Sequence, residues 1–437
     1  MKKQTKKEIK GKSLYYEKLL HDGKYFTLRD ELEQFLEKDP DNVDTLIKIA
    51  VVYKQLKNYS LSESMLIKAI QLKPNHPYVY SVYGELLFSV GLIDRALKQY
   101  DKALSIDKNY YLALYGMGQV HIKNLDYSEA IECFKLALES KPDFEDLIKS
   151  LGAAYKLLKL FKEAADSYKS ISSEKYKDHL ENYNNYIESL YYLGDKDLFY
   201  EALNDTISKN ILSIKIASIS SHAAVRYEKE DKYSFCKKPL DYIYKRNLIQ
   251  EDILNIGDMR NLIEFSKIDT AVSRRQDLLE RGKQTSGNIF GEDIADESLI
   301  AQHFLNIISN EVEKYKLSFS NKCELISSFP EKYYIKGWLI EIENDGFLKP
   351  HIHDQGWISG SIYLNLPQNR NGDEGNIEFS TEGRDYSNDG KFFPKKIVDL
   401  NLGDIVLFPS SLFHSTIPFN SNQRRITLAF DVIPEEN

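Results

Sequence analysis

Gly403-Asp404-Ile405-Val406-Leu407-Phe408-Pro409-Ser410-Ser411-Leu412-Phe413-His414 reads as a strand that leaves a tight turn and runs into a lone histidine. Asn401-Leu402-Gly403 supplies the turn, and the apolar run after Asp404 supplies the strand. The same grammar repeats on both sides. Tyr333–Glu343, Trp357–Leu366, Asn376–Ser380, Lys396–Leu400 and Arg425–Val432 each read as a short strand. Turn material separates them at Asn344-Asp345-Gly346, Asn371-Gly372-Asp373 and Asn420-Ser421-Asn422. Many short strands punctuated in this way predict an all-β barrel or jelly roll for the back of the chain.

Two histidine sites fall inside this β region. One is His414. The other is Pro350-His351-Ile352-His353-Asp354. On a strand, residues i and i+2 share a face, so His351 and His353 can converge on one point while Ile352 enters the opposite layer. A single histidine on a barrel wall is ordinarily a polar residue bonded to its neighbours. Two on one face, with His414 after Phe-Pro and Arg425 eleven residues further on, point instead to a metal site.

Residues from about 280 to 437 resemble the Fe(II)/2-oxoglutarate oxygenases of the double-stranded β-helix fold, in a bacterial and phage branch related to prolyl hydroxylases. The resemblance is carried by His351-Ile352-His353, Ser359-Gly360-Ser361-Ile362-Tyr363-Leu364, Gly375-Asn376-Ile377-Glu378-Phe379, the Gly403–Pro409 strand, His414 and Arg425-Ile426-Thr427. It implies Fe(II) held by His351, His414 and His353, with open positions for 2-oxoglutarate and O2. It also implies a fixed cation for the far carboxylate of 2-oxoglutarate, for which a planar guanidinium is suited. Arg425 fits better than Arg424, because Thr427, two residues along the strand, faces the same carboxylate. Tyr363 is a second cosubstrate candidate, with barrel packing as its plainer role.

One departure stands out. The family usually writes His-x-Asp or His-x-Glu, and this chain has His353 where the acid is expected. Three readings stay open: a three-histidine site, a two-histidine site with water in the third place, or Asp354 turned inward by a bulge.

The front of the chain is a repeat. Leu72-Lys73-Pro74 recurs as Ile106-Asp107-Lys108 and Ser140-Lys141-Pro142, at steps of 34 residues. Gly84, Gly118 and Gly152 share a column, preceded by Ala50; so do Ala96, Ala130 and Ala164, and Ala69, Ala103 and Ala137. Tyr100, Phe134 and Tyr168 fill another. Small residues mark where paired antiparallel helices touch, and large ones fill the seam. The pattern resembles the tetratricopeptide repeat, with copies at 42–74, 75–108, 109–142 and 143–176, a degenerate one at 8–41 and a worn pair over Tyr183–Leu203. Such arrays stack because one unit cannot bury its own face. The resemblance implies a protein or peptide partner in the groove. A support or dimerisation role is the alternative.

Between these halves, Glu251–Thr270 and Glu297–Tyr315 carry amphipathic helical spacing, and Arg281–Asn288 reads as a turn-rich break. The expected architecture is an N-terminal α-solenoid (8–204), a helical connector (205–245) and a double-stranded β-helix domain with flanking helices (246–437). His179, His222 and His303 have no partner at ligand spacing.

Composition narrows the function. A chain 42% hydrophobic and 28% charged is ordinary globular protein. No apolar run is long enough for a membrane helix. The basic start, Met1-Lys2-Lys3, is not followed by the apolar stretch of a secretory leader. The net charge of −8, with both signs interspersed, shows no basic stripe for nucleic acid. Cys133, Cys236 and Cys323 are odd in number and far apart, which suits a reducing cytoplasm rather than a disulfide framework. The resemblances named above imply an iron- and 2-oxoglutarate-dependent hydroxylase. The alternatives are a tetratricopeptide scaffold whose β domain binds a metal or sugar without turnover, and a metal-dependent cupin with no need of Arg425.

Overall fold

In the computed structural model the repeated columns become contacts between paired helices. It describes residues 15–16, 18–20, 23–171, 180–266, 278–291, 298–320, 323–383 and 385–435. The chain divides into two units, Met1–Glu174 and Lys175–Asn437.

The first unit holds α1 (Tyr25–Lys38), α2 (Val43–Gln55), α3 (Tyr59–Leu72), α4 (Pro77–Ser89), α5 (Ile93–Ile106), α6 (Tyr111–Lys123), α7 (Tyr127–Ser140), α8 (Glu145–Leu157) and α9 (Phe161–Ile171). From α2 onward they pair two by two in the 34-residue register. A Cβ added at Gly84 would lie 2.5 Å from the Tyr100 ring, one at Gly118 2.3 Å from Phe134, and one at Gly152 2.8 Å from Tyr168. No side chain fits there, so glycine lets each α4/α5-type pair close on its aromatic. Both alanine columns are buried. The Asn42 and Asn58 side chains accept from the Thr45 and Leu61 amides and cap α2 and α3. Pro74 and Pro142 lie just past the ends of α3 and α7. Leu19, Leu28 and Leu32 pack on Ile49 and Val52, giving the first, irregular copy a core of its own.

The second unit begins with α10 (Leu180–Leu193), α11 (Lys196–Ser208) and α12 (Ile214–Arg226). The helix pair expected as a worn sixth repeat is therefore α10/α11, and it packs within the unit that carries the sheets. The Tyr386 hydroxyl donates to Glu188 of α10 at 3.0 Å. His222 of α12 stacks on Phe393 with ring centres 4.4 Å apart.

Then follow β1 (Tyr244–Asn247), α13 (Ile256–Ser266), β2 (Leu279–Gln284), α14 (Leu299–Ser318), β3 (Tyr333–Leu348), β4 (Ile358–Asn365), β5 (Ile377–Ser380), β6 (Lys395–Val398), β7 (Asp404–Pro409), β8 (Phe413–Thr416) and β9 (Arg425–Pro434). They form a six-stranded antiparallel sheet, β1-β7-β4-β9-β3-β2, and a three-stranded one, β6-β5-β8. Tyr363, Ile377, Phe379, Val406, Phe408 and Leu412 fill the space between them. The double-stranded β-helix architecture behind an α-solenoid is the fold expected.

Two local expectations change. Arg281–Gln284 is not a break but the second half of edge strand β2, paired with β3 through a register shift at Glu280/Gly282. Asn344-Asp345-Gly346 does not reverse the chain; it kinks β3, with Asp345 at φ 58°.

Candidate metal centre and its cavity

β8 follows β7 after a short corner and brings His414 alongside Phe379 of β5 in the ladder. His351 joins the same edge by an isolated antiparallel bridge: its amide donates to the His414 carbonyl and the His414 amide to the His351 carbonyl, both at 3.1 Å. The His353 amide donates to the Ser410 carbonyl at 3.1 Å. The two segments read from sequence as separate histidine sites are thus tied together by backbone bonds. Residues 352 and 353 are not in a regular strand, and Ile352 lines the same cavity as the histidines instead of an opposite layer.

The three rings meet. Their centres are 4.2 Å (His351–His414), 5.0 Å (His353–His414) and 5.1 Å (His351–His353) apart. One ring nitrogen from each lies within 4.8 Å of the others, a spacing that suits one metal ion. The Nδ1 atoms are spent elsewhere. Nδ1–H donates to the Lys349 carbonyl in His351 (2.8 Å), to the Leu412 carbonyl in His414 (3.2 Å) and to Asp431 Oδ1 in His353 (2.5 Å). Acceptors at Nδ1 place the proton there, so Nε2 is the atom each ring offers to a metal. Burial, then the neighbouring imidazoles, hold His414 well below the usual histidine range. At His353 burial also opposes charge, but the Asp431 carboxylate turns the net shift upward. Asp354 is exposed, and among the described residues the cluster includes no carboxylate.

All three histidines line a cavity of about 630 Å³, and so do Arg425, Thr427 and Tyr363. Arg425 is buried. Its Nε–H donates to the Gly375 carbonyl at 3.0 Å and its Nη1–H to Thr427 Oγ1 at 2.9 Å. Its guanidinium carbon lies 5.0 Å from the centre of the Tyr363 ring. Among the described residues no carboxylate pairs with it, which is costly for a buried cation unless an anion arrives. Burial lowers its pKa, and Arg370 nearby adds to that. The Tyr363 hydroxyl is buried close to Ser361 and Arg425 but meets neither in hydrogen-bond geometry, and burial pushes its pKa up to about 12. A buried guanidinium lacking an anion and a buried hydroxyl lacking a partner, in one cavity with three convergent imidazoles, fit a metal with a carboxylate-bearing cosubstrate. Arg424 lies off this face and pairs with Glu341 at 2.8 Å.

Sequence reading gave no site role to Asp431, Trp338 or Ser359. The signal for Asp431 was present: it continues the alternation Arg425, Thr427, Ala429, and all four line the cavity. Trp338 adds an apolar wall, its ring centre 5.7 Å from that of His353. His222 and His303 stand apart, and His179 lies outside the described residues.

Residues 336–431 match the protein-family model described as "Putative 2OG-Fe(II) oxygenase". Residues 43–76 and 87–155 match two models described as "Tetratricopeptide repeat". The chain is 26% identical over 160 residues to anaphase-promoting complex subunit 3 of Schizosaccharomyces pombe, covering 37% of this chain and 24% of that protein. It is 33% identical over 150 residues to human tetratricopeptide repeat protein 13, covering 34% of this chain and 17% of that protein. The chain thus spans less than a quarter of the length of either relative. A crystal structure of PilW, described as a widely conserved type IV pilus biogenesis factor, covers 47% of this chain and 95% of its own at 21% identity and a TM-score of 0.37.

Proposed function

From a chain that joins tetratricopeptide repeats to a domain of the 2OG-Fe(II) oxygenase family, we propose an Fe(II)- and 2-oxoglutarate-dependent dioxygenase that hydroxylates its substrate. The observation that carries this reading is one cavity holding three convergent imidazoles and a buried Arg425 without a carboxylate. His351, His353 and His414 would hold the iron through Nε2. Fe(II) with 2-oxoglutarate and O2 supplies oxidation of a substrate C–H bond, with succinate and CO2 released. Arg425 would pair with the far carboxylate of 2-oxoglutarate, Thr427 holding the guanidinium in place, and the Tyr363 hydroxyl would donate to the same cosubstrate. Trp338, Ile340 and Phe408 keep that part of the cavity apolar, which strengthens each charged contact.

The repeat unit would recruit a protein or peptide segment as substrate, in line with the general use of such repeats. Capture by the full chain, followed by a search for a mass gain of one oxygen in the captured proteins, tests that step. The iron reading is tested first by anaerobic addition of Fe(II) and 2-oxoglutarate. A weak visible charge-transfer band of the chelated cosubstrate is expected. Its absence from folded protein defeats the oxygenase reading and leaves a scaffold.

A further inference from the structure

The centre proposed above lacks the acid that its family usually places at position 353. We infer that Asp431 supplies that negative charge through His353, as a positioning residue outside the ligand set; the inference rests on the three-histidine reading. His351 and His414 give Nδ1–H to backbone carbonyls, whereas His353 gives it to a carboxylate, at 2.5 Å. Asp431 is buried, and among the described residues His353 is its sole ion-pair partner. Lys336 stands at the paired position on β3 and lines the same cavity, but forms no ion pair with Asp431, so the buried carboxylate stays costly unless further positive charge lies close by. A divalent ion held by the His353 ring would provide it.

The carboxylate is built in, not left over. Ser359 Oγ donates to Asp431 Oδ1 at 2.6 Å and contacts Ser410 Oγ at 2.8 Å, while the Ser410 carbonyl holds the His353 amide. A Cβ at Gly356 would come within 2.8 Å of Ser410 Oγ and 3.2 Å of the Asp431 carboxylate, so the backbone closes over the pair. A carboxylate at Nδ1 makes Nε2 a stronger donor. It also brings the total charge of metal and partners to that of two histidines and one carboxylate.

The experiment measures Co(II) affinity of the full chain by chelator competition, with the ligand-field spectrum as a second readout. Asp431→Asn keeps the shape and is expected to weaken Co(II) by about tenfold to a hundredfold. His353→Asp alone sets two carboxylates against each other and is also expected to bind poorly. Adding Asp431→Asn to His353→Asp should then strengthen binding, reversing the sign of the same substitution. Weakening in both backgrounds would mark Asp431 as structural only and overturn the inference. So would an Asp431→Asn affinity within about twofold of the parent. If His353→Asp does not fold, Ser359→Ala replaces it: it loosens Asp431 and keeps its charge, so a loss smaller than that of Asp431→Asn is expected, and an equal or larger loss overturns the charge role. His414→Ala is the separate control, since undiminished Co(II) binding there sinks the three-histidine reading itself.

Discussion

Replacing Arg425 by methionine keeps most of the side-chain volume and removes the charge. The proposed cosubstrate then loses its only buried cationic partner among the cavity's cosubstrate candidates. Truncating one member of a desolvated charge pair costs about 2–5 kcal/mol. At about 1.4 kcal/mol per tenfold, 2-oxoglutarate should bind roughly thirtyfold to several thousandfold more weakly. The effect on folding is expected to be much smaller. Arg425 donates to the Gly375 carbonyl and to Thr427 Oγ1, and losing such bonds costs about 1.5–3 kcal/mol each. Methionine also ends the burial of a cation with no carboxylate beside it, which offsets that loss by several kcal/mol. Arg425 takes no part in the histidine cluster, so metal affinity should stay within a few-fold of the parent. The assay is anaerobic calorimetry of 2-oxoglutarate into Mn(II)-loaded protein, with Mn(II) affinity measured separately. Arg425→Lys, which keeps the charge but not the two-pronged fork, should fall between. Equal losses of Mn(II) and 2-oxoglutarate affinity would refute the division of labour, as would unchanged 2-oxoglutarate affinity.

Three further outcomes follow from other contacts. A divalent metal at about a hundred times its Kd should stabilise the second unit by about 2.7 kcal/mol, read as a rise in its unfolding temperature that a chelator reverses. Gly118→Ala places a Cβ 2.3 Å from the fully buried Phe134 ring. Overpacking of about 1–3 kcal/mol outweighs the helix-propensity gain of up to about 1 kcal/mol, so denaturant unfolding of the repeats should shift to lower concentration. His222 is pushed down to about 4, first by burial and then by the Arg226 charge, and its Nδ1 is taken by the Tyr191 hydroxyl. The unfolded chain binds this proton near 6.5, so the stability held by the neutral ring is complete above 6.5 and lost as pH falls toward about 4. His222→Phe should flatten that part of the pH–stability curve, measured by denaturation across the window.

β3, β4, β7 and β9 were legible because alternation and flanking turns act together over six residues or more. Tyr333–Glu343, Trp357–Leu366 and Arg425–Val432 lie on β3, β4 and β9. Of the four-residue strands, β5 and β6 were marked by the turns at Asn371-Gly372-Asp373 and Asn401-Leu402-Gly403, whereas β1 and β8 are too short to show a period on their own. β2 was hidden by its glycine. Gly282 reads as a turn residue, yet a Cβ there would lie 2.6 Å from the Glu341 carbonyl, so the residue serves the close approach of β2 to β3. Asn344-Asp345-Gly346 misled in the same way: positive φ at Asp345 makes a kink within a strand. The repeats were the easiest part, because each glycine and its aromatic lie on paired helices within one copy and recur at a fixed step.

The histidines were legible as residues, but their common position was not, because no local rule brings 351 to 414. That position depends on pairing between distant segments: β8 on β5, the His351–His414 bridge, and the Ser410 carbonyl on the His353 amide. The bonds at Nδ1 then orient rings already brought close. Two of those bonds use backbone carbonyls at the neighbouring positions 349 and 412, and any sequence could supply them. The third uses a side chain on β9, the strand that also carries Arg425 and Thr427 into the cavity. One face of β9 therefore links the proposed cosubstrate end of the site to the third histidine. A change in the register of β9 against β3 or β4 would displace Arg425 and Asp431 together, since a one-residue slip moves every side chain to the other face. This is why the strand is held on both sides, by β3 from Tyr333↔Pro434 to Ile342↔Arg425 and by β4 from Ile358↔Val432 to Asn365↔Ile426.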